Sequence, residues 1–162
     1  SKYHAYQYYL DAVKRDGVPY ELITKALPTI EGEVNNILAQ LVDFQMLFEM
    51  DGKNINNYIV YDDDNVWPLE LSSGMERFIS SLAIRVGLIN VSNLPRSNFL
   101  AIDEGWGTMD SDNLNSVYSL FQYLKSQFQF TLIVSHIDSM RDAVDSLLEI
   151  KKEKSFSSIN FD

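Results

Sequence analysis

Two short, almost continuously apolar runs place the strongest constraint on the fold of this chain. They are FLAI, residues 99–102, and TLIV, residues 131–134, and a stretch with helically spaced apolar residues lies between them. Strands covered on both faces are apolar throughout, and a strand, a helix and a strand in this order form a parallel pair. The sequence therefore predicts an α/β fold with a largely parallel sheet and flanking helices.

The part of the chain before these runs predicts a helical and hairpin extension at the amino-terminal side. Residues 3–13 carry apolar side chains at helical spacing, and Gly17 is expected to end that helix. Pro19 and Pro28 punctuate a second short helical stretch, and Thr29 can then cap a third helix.

Further along, a hairpin, two helices and two final strands are predicted. Asp51 and Gly52 separate two β-rich runs, which is typical of a β-hairpin. Residues 72–91 have the pattern of a helix, and Asp138 can start another. The runs SLLEI and FSSINF predict two short strands at the end. No repeat or linker-like stretch interrupts the sequence, so we expect a single domain over residues 1–162.

Composition argues against several classes of function. The net charge of −10 opposes broad phosphate binding to nucleic acid by this chain alone. The absence of cysteine removes disulfides and thiolate metal sites and fits a reducing compartment, and His4 and His136 are too few for a zinc centre. No apolar run is long enough to cross a bilayer.

The first candidate site follows the strand at residues 99–102, where Asp103 and Glu104 are adjacent carboxylates. A buried strand that ends in Asp can hold Mg²⁺ together with phosphate oxygens, and a neighbouring Glu can polarise an attacking water. The alternative is a strand that ends in a solvated acidic turn. The pair alone does not decide between them.

A second candidate is SSGMER, residues 72–77, at the start of a predicted helix. Ser73 and Glu76 have the spacing of a capping box, and Gly74 lets a partner approach the backbone. The free N–H groups of such a helix start can bind a phosphate, although a plain helix cap has the same pattern. His136 follows the TLIV strand, where a lone histidine is more often a packing residue.

The order and spacing of these motifs resemble the second half of an ABC-type ATPase head. The resemblance is to SbcC-type DNA-repair ATPases related to the structural-maintenance-of-chromosomes (SMC) proteins, especially their phage, viral and bacterial branch, and it covers residues 71–150. By position it implies a signature loop that contacts ATP on a second subunit, the Mg²⁺ aspartate, the water-activating glutamate, the D-loop aspartate and the switch histidine. The signature loop corresponds to Ser73, Gly74, Met75 and Glu76, and the Mg²⁺ aspartate to Asp103. The water-activating glutamate corresponds to Glu104, the D-loop aspartate to Asp110 and the switch histidine to His136.

Two residues depart from the resembled pattern, Met75 and Met109, and methionine in place of the usual D-loop leucine at 109 is a swap of similar volume that we expect to be harmless. Met75 stands where the common signature has a second glycine, so one glycine and a bulkier residue would meet the phosphate. The sequence also lacks the phosphate-cradling loop G-x-x-x-x-G-K-[ST]. The resemblance therefore implies the carboxy-terminal lobe of an ABC-type P-loop ATPase, with residues 1–16 as the stub of the returning coiled-coil helix. It also implies that the isolated chain is inactive.

The resemblance implies a half ATPase head that uses ATP and Mg²⁺ to drive head dimerisation and hydrolysis. The expected partners are the amino-terminal Walker A lobe, a second head in a homodimer, an SbcD-like nuclease and DNA, with no membrane. The expected location is cytoplasmic and nucleoid- or DNA-associated. An alternative is a non-catalytic dimerisation or binding module that retains the lobe, and an ABC transporter component is disfavoured.

Overall fold

A computed structural model describes residues 18–52, 54–93, 95–103, 114–135, 138–153 and 156–161. Contacts divide the chain after Arg96 into two compact units, and each unit is described by itself. The stub proposed for residues 1–16 lies outside the described residues. The single domain over residues 1–162 stays a prediction.

The first described element is one long helix, α1, over Val18–Leu38, and it runs through Pro28. The prediction of two helices in this segment, with Thr29 capping the second, was wrong. A proline removes one helical N–H and strains the preceding turn, but packing can hold the helix together. Leu27, next to the exposed Pro28, is buried, and so are Val34, Ile37 and Leu38 after it, whereas Leu22 and Ile23 before it are exposed.

A three-stranded antiparallel sheet follows, formed by β1 (Gln45–Asp51), β2 (Asn54–Asp62) and β3 (Asn65–Pro68) in that order. The hairpin predicted at Asp51 and Gly52 is confirmed, with Asp51 paired to Asn54. Gly52 has a φ of 58°, a left-handed conformation that glycine adopts without steric cost.

Side chains of α1 satisfy the outer edge of β1. The Asn35 side chain accepts from the Met46 N–H at 2.8 Å and donates to the Met46 carbonyl at 2.9 Å. The carboxylate of Glu31 accepts from the Phe48 N–H at 2.8 Å. These bonds occupy backbone groups that an edge strand would otherwise offer to another chain.

The predicted helix at residues 72–91 is confirmed as α2, Gly74–Val91, which follows a 3₁₀ turn at Leu69–Leu71. α2 packs on α1, and Gly87 marks a close approach, since a Cβ added there would lie 3.0 Å from Cγ2 of Val34. The core of this unit combines α1, α2 and one face of the sheet. Its most deeply buried side chains are Val34, Leu38, Met46, Ile59, Ile79, Ser80 and Val86.

The second unit begins with a β-α-β arrangement of β4 (Phe99–Asp103), α3 (Leu114–Gln127) and β5 (Phe130–Val134). β4 and β5 pair in parallel, from Phe99 opposite Phe130 to Asp103 opposite Val134. This is the pairing that the apolar runs predicted. The apolar face of α3 is buried through Val117, Leu120, Phe121 and Leu124.

A helix was predicted to start at Asp138, and the structure has a 3₁₀ segment there, Asp138–Ala143. The two final strands are confirmed as an antiparallel pair, β6 (Leu148–Glu153) and β7 (Phe156–Phe161). The α/β fold is confirmed. The expected parallel pairing holds for β4 and β5, whereas the other described strands pair antiparallel because short connections join them. No helix within the described ranges is both long and apolar enough to span a membrane.

Candidate functional site

The start of α2 is held by a reciprocal capping box. The N-cap residue Ser73 is extended, with φ −64° and ψ 162°, and its Oγ accepts from the Glu76 N–H at 3.2 Å. In return, Oε2 of Glu76 accepts from the Ser73 N–H at 2.7 Å. This arrangement satisfies two of the orphan donors at the helix start and fixes the backbone of residue 73.

The capping box leaves a small set of donors for a ligand. Within the part of the chain that the structure describes, no acceptor is bonded to the N–H groups of Gly74 and Met75. Ser73 Oγ acts as an acceptor toward Glu76, so its hydroxyl hydrogen can be donated elsewhere. These groups sit at the positive end of an 18-residue helix, where an anion is favoured.

The Met75 side chain, which replaces a glycine of the resembled signature, turns inward. Only 8% of Met75 is exposed, so its bulk belongs to the core of the unit. Ser73 is exposed and Gly74 is half-buried, so the helix start itself is open to a ligand. At this position, the substitution of methionine for glycine does not place a side chain over the free donors.

Two further contacts brace the turn. The Tyr61 hydroxyl donates to Oε1 of Glu76 at 2.8 Å, and Nη2 of Arg77 donates to the Ser72 carbonyl at 3.0 Å. Burial, and then the hydrogen bond to Glu76, raises the pKa of Tyr61 to about 12. The phenol therefore stays protonated, and able to donate, at neutral pH.

Sequence reasoning missed Tyr61. Its ring packs near those of Phe44 and Trp67, with ring centroids 5.6 and 5.3 Å away. Its partner Glu76 is 15 residues further along the chain, and no motif or periodicity joins the two. The only sequence signal was the β-rich run around it, which predicts a strand and gives no partner.

The carboxylate of Asp103 stands at the carboxyl end of β4. Asp103 is exposed and lies opposite Val134, so β4 and β5 end at one edge of their pair. This confirms the predicted position of Asp103 at a strand end. Glu104, Asp110 and His136 lie outside the described residues, and their roles stay predictions.

The described residues thus contain two parts of the predicted site. The structure brings Ser73, Gly74, Met75 and Glu76 together in the first unit, and Asp103 belongs to the second unit. Among the described side chains, no three of His, Cys, Asp and Glu gather as a metal site. A single exposed carboxylate such as that of Asp103 is a type of ligand that Mg²⁺ accepts, because the ion is commonly held by one or two carboxylates together with phosphate oxygens and water.

One face of the parallel pair is bare. Phe99 and Phe130 stack with ring centroids 5.4 Å apart and an interplanar angle of 13°, yet they are 47% and 58% exposed. Leu132 and Val134 share that face by alternation and are also exposed, and Asp103 stands at its carboxyl end. Parallel sheets usually have both faces covered, so this apolar face is incomplete as it stands.

Comparison with known proteins identifies similar chains. The chain is 36% identical over 170 residues to the uncharacterized protein R555 of Acanthamoeba polyphaga mimivirus, a match that covers 95% of this chain and 13% of that protein. It is 32% identical over 93 residues to the SbcC component of the SbcCD nuclease of Staphylococcus aureus, a match that covers 55% of this chain and 9% of that component. The chain therefore spans only a small part of these relatives. No protein-family profile matches it.

Solved structures share the fold. A chain from work on ATP-driven dimerization and DNA-stimulated activation of SMC ATPases matches with a TM-score of 0.69 and 15% identity, covering 87% of this chain and 88% of that one. The Smc head domain of Pyrococcus furiosus, with an extended coiled coil and bound to the C-terminal domain of ScpA, matches with a TM-score of 0.63 and 18% identity, covering 87% and 36%. These matches confirm the fold, and together with the SbcC similarity they confirm the resemblance to SbcC- and SMC-type ATPase head regions.

Proposed function

We propose that this chain is the carboxy-terminal lobe of an SbcC-like ATPase head and supplies the signature half of a composite ATP site. The observation that carries the proposal is the start of α2, where Ser73 and Glu76 form a rigid cap and leave two backbone donors and a hydroxyl open. A preorganised set of donors at a helix start stabilises phosphate charge without reorganisation.

The lobe needs a partner for nucleotide binding. Its sequence has no phosphate-cradling loop, and the free donors at Gly74 and Met75 cannot replace that loop and its lysine. The bare face at Phe99 and Phe130 is the surface that an amino-terminal Walker A lobe would cover. The nucleotide that Ser73 meets therefore belongs to a second complete head, so the signature acts across a dimer interface.

The remaining residues are assigned by position. ATP supplies the phosphoryl group that is hydrolysed, and Mg²⁺ neutralises its charge. Asp103 would hold the ion through its exposed carboxylate, and the Glu104 carboxylate would accept a proton from the attacking water. His136 would contact the terminal phosphate, and Asp110 would contact the opposite head.

One relative supports a proposal for the biological setting. The S. aureus relative is a component of the SbcCD nuclease, so we assign this lobe to ATP-gated DNA-end processing with an SbcD-like nuclease, in the cytoplasm and at the nucleoid. Because the chain carries a net charge of −10, most DNA phosphate contacts would come from the partners.

The test is a Ser73→Arg substitution in a complete head that contains the Walker A lobe. The arginine places a bulky cation over the free donors, so ATP binding to one head should stay near normal while ATP-induced dimerisation and hydrolysis fall together. Ser92→Arg is the matched control, since Ser92 is an exposed serine at the opposite end of the same helix. Light scattering reports dimer mass, and phosphate release reports turnover.

Mixing two kinds of variant head gives a sharper test of whether the signature acts in trans. Heads with Ser73→Arg and heads with a substituted Walker A lysine each lack one part, and a mixed dimer keeps one intact composite site only if the signature acts in trans. Partial recovery of turnover is therefore expected. Loss of ATP binding by the lone Ser73→Arg head, or dimers without recovery on mixing, would refute the trans assignment.

The Glu104→Gln substitution separates an ATPase from a non-catalytic dimerisation module. An amide cannot accept the proton from water, so hydrolysis should slow by about two to four orders of magnitude while ATP-bound dimers accumulate. A parental head that dimerises with ATP and never releases phosphate would instead support the binding module.

A further inference from the structure

A chain of contacts links the antiparallel sheet to the open helix start. Tyr61 lies at the end of β2 and donates to Oε1 of Glu76, and Oε2 of the same carboxylate accepts from the Ser73 N–H. The Tyr61–Glu76 distance of 2.8 Å is ordinary for an O–H···O bond, and the Ser73–Glu76 distance of 2.7 Å is short for an N–H···O bond, as expected when the acceptor is charged. The two oxygens of one carboxylate therefore tie a strand of the sheet to the N-cap residue of α2.

We propose that Tyr61 is a positioning residue for the signature serine, acting through Glu76, so that the sheet sets the position at which Ser73 meets a phosphate. The proposal rests on the proposed function, because it assumes that Ser73 contacts a nucleotide on a second head. Tyr61 itself does not touch that nucleotide; it limits the rotamers open to Glu76 and so the motion of the N-cap backbone.

Two aromatic contacts support the Tyr61 ring. Phe44 and Trp67, the latter on β3, both pack near it, and 44% of Tyr61 remains exposed. Ser73 is exposed and Gly74 is half-buried, and nothing else in the described part of the chain bonds to the Glu76 carboxylate. Without the phenol, that carboxylate would keep its capping bond but lose its second anchor.

The experiment uses the complete head with Tyr61→Phe, which removes the hydroxyl and keeps the ring. ATP affinity of a single head should not change, whereas the head concentration at half-maximal ATP-induced dimerisation should rise roughly two- to tenfold, the size expected for one ordinary hydrogen bond at a partly exposed site. Hydrogen exchange of the peptide covering residues 72–77 should accelerate. Tyr58→Phe is the matched control: it lies on the same strand but the opposite face, opposite Leu47, and should change neither quantity.

A double-substitution cycle tests whether Tyr61 acts through Glu76. Glu76→Ala should weaken dimerisation at least as much as Tyr61→Phe, and the double variant should be no worse than Glu76→Ala alone. Glu76→Gln should largely preserve dimerisation, since its amide oxygen can accept from Ser73 while its amide nitrogen donates to the Tyr61 oxygen.

The contact between Tyr61 and Glu76 has its own spectroscopic readout, the ionisation of the Tyr61 phenol. At pH 11 a tyrosine of ordinary pKa is about 90% ionised, whereas the ¹³Cζ resonance of Tyr61 should remain mostly in its protonated position. In the Glu76→Gln head it should shift toward the ionised position, because the negative charge that opposes phenolate formation is gone.

The outcomes separate the two proposals. If Ser73→Arg abolishes ATP-induced dimerisation but Tyr61→Phe leaves it unchanged, the positioning role is wrong and the proposed function stands. Additive effects of Tyr61→Phe and Glu76→Ala would also overturn the positioning role. If the parental head does not dimerise with ATP and Ser73→Arg changes nothing, the proposed function is wrong, and the role of Tyr61 falls with it.

Discussion

α1 and α2 approach closely at Gly87. We expect Gly87→Ala to lower the stability of the protein when Val34 is present and to raise it when Val34 is replaced by alanine. In Gly87→Ala the new Cβ would lie 3.0 Å from Cγ2 of Val34, closer than ordinary contact, and Val34 is fully buried at 0% exposure. Overpacking of this kind costs about 1–3 kcal/mol, while replacing a helical glycine with alanine gains roughly 1 kcal/mol. We expect a net loss of stability of up to about 2 kcal/mol.

The neighbour decides the outcome because the other contacts are ordinary. The next nearest atoms to the added Cβ are the Val34 backbone nitrogen and Cα, at 3.6 and 3.7 Å. Val34→Ala removes the obstructing methyl and should itself cost about 1–3 kcal/mol as a core truncation. In that background Gly87→Ala should stabilise the unit by up to about 1 kcal/mol, so the coupling between the two substitutions should be about 1–3 kcal/mol.

Urea unfolding measures the free energies of unfolding of the parent, the two single variants and the double variant at Gly87 and Val34. The chain has two tryptophans, and Trp67 lies in the same unit as Gly87, so a Trp106→Phe background lets Trp67 fluorescence report that unit. Gly32→Ala is the control, because a Cβ there meets no atom within 4 Å and should stabilise α1 by up to about 1 kcal/mol. If Gly87→Ala has the same effect, within about 0.5 kcal/mol, with and without Val34→Ala, then the close approach does not limit packing.

Three further predictions concern the same unit. Asn35→Ala should destabilise it by about 1–3 kcal/mol in urea unfolding, since both Met46 backbone groups lose their partner. Gln40→Ala, in the exposed turn after α1, should have little effect, and equal effects of the two substitutions would contradict the role of Asn35 at the sheet edge. Pro28→Ala should raise the free energy of unfolding by up to about 3 kcal/mol, because the helix regains an N–H donor. A lower free energy of unfolding in this variant would show that the proline shapes the packing. The pKa of Tyr61 is raised from 10 to about 12 in the folded state, so the unfolded chain loses this proton at lower pH than the folded chain does. The contribution of Tyr61 to folding stability is therefore complete below pH 10 and is lost as the pH rises from 10 to 12. Tyr61→Phe should remove that part of the alkaline slope, and an unchanged slope would contradict it.

The sequence by itself determined the features that depend on near neighbours. Two apolar runs with a helical pattern between them identified β4 and β5 and their parallel pairing, because such patterns are local properties of the chain. The capping box of Ser73 and Glu76 was predicted for the same reason, as its two partners are three residues apart. The turn at Gly52 is another local feature, fixed by a conformation that favours glycine.

Only the tertiary structure decided the contacts between distant segments. α1 continues through Pro28 because burial of Leu27 and of the apolar residues after the proline outweighs a local helix-breaking preference. Asn35 reaches the edge of β1, and Tyr61 reaches Glu76, because packing brings those elements together. Neither partner could be chosen from the sequence, since hydrogen bonding between distant residues has no period and depends on which surfaces are buried against each other.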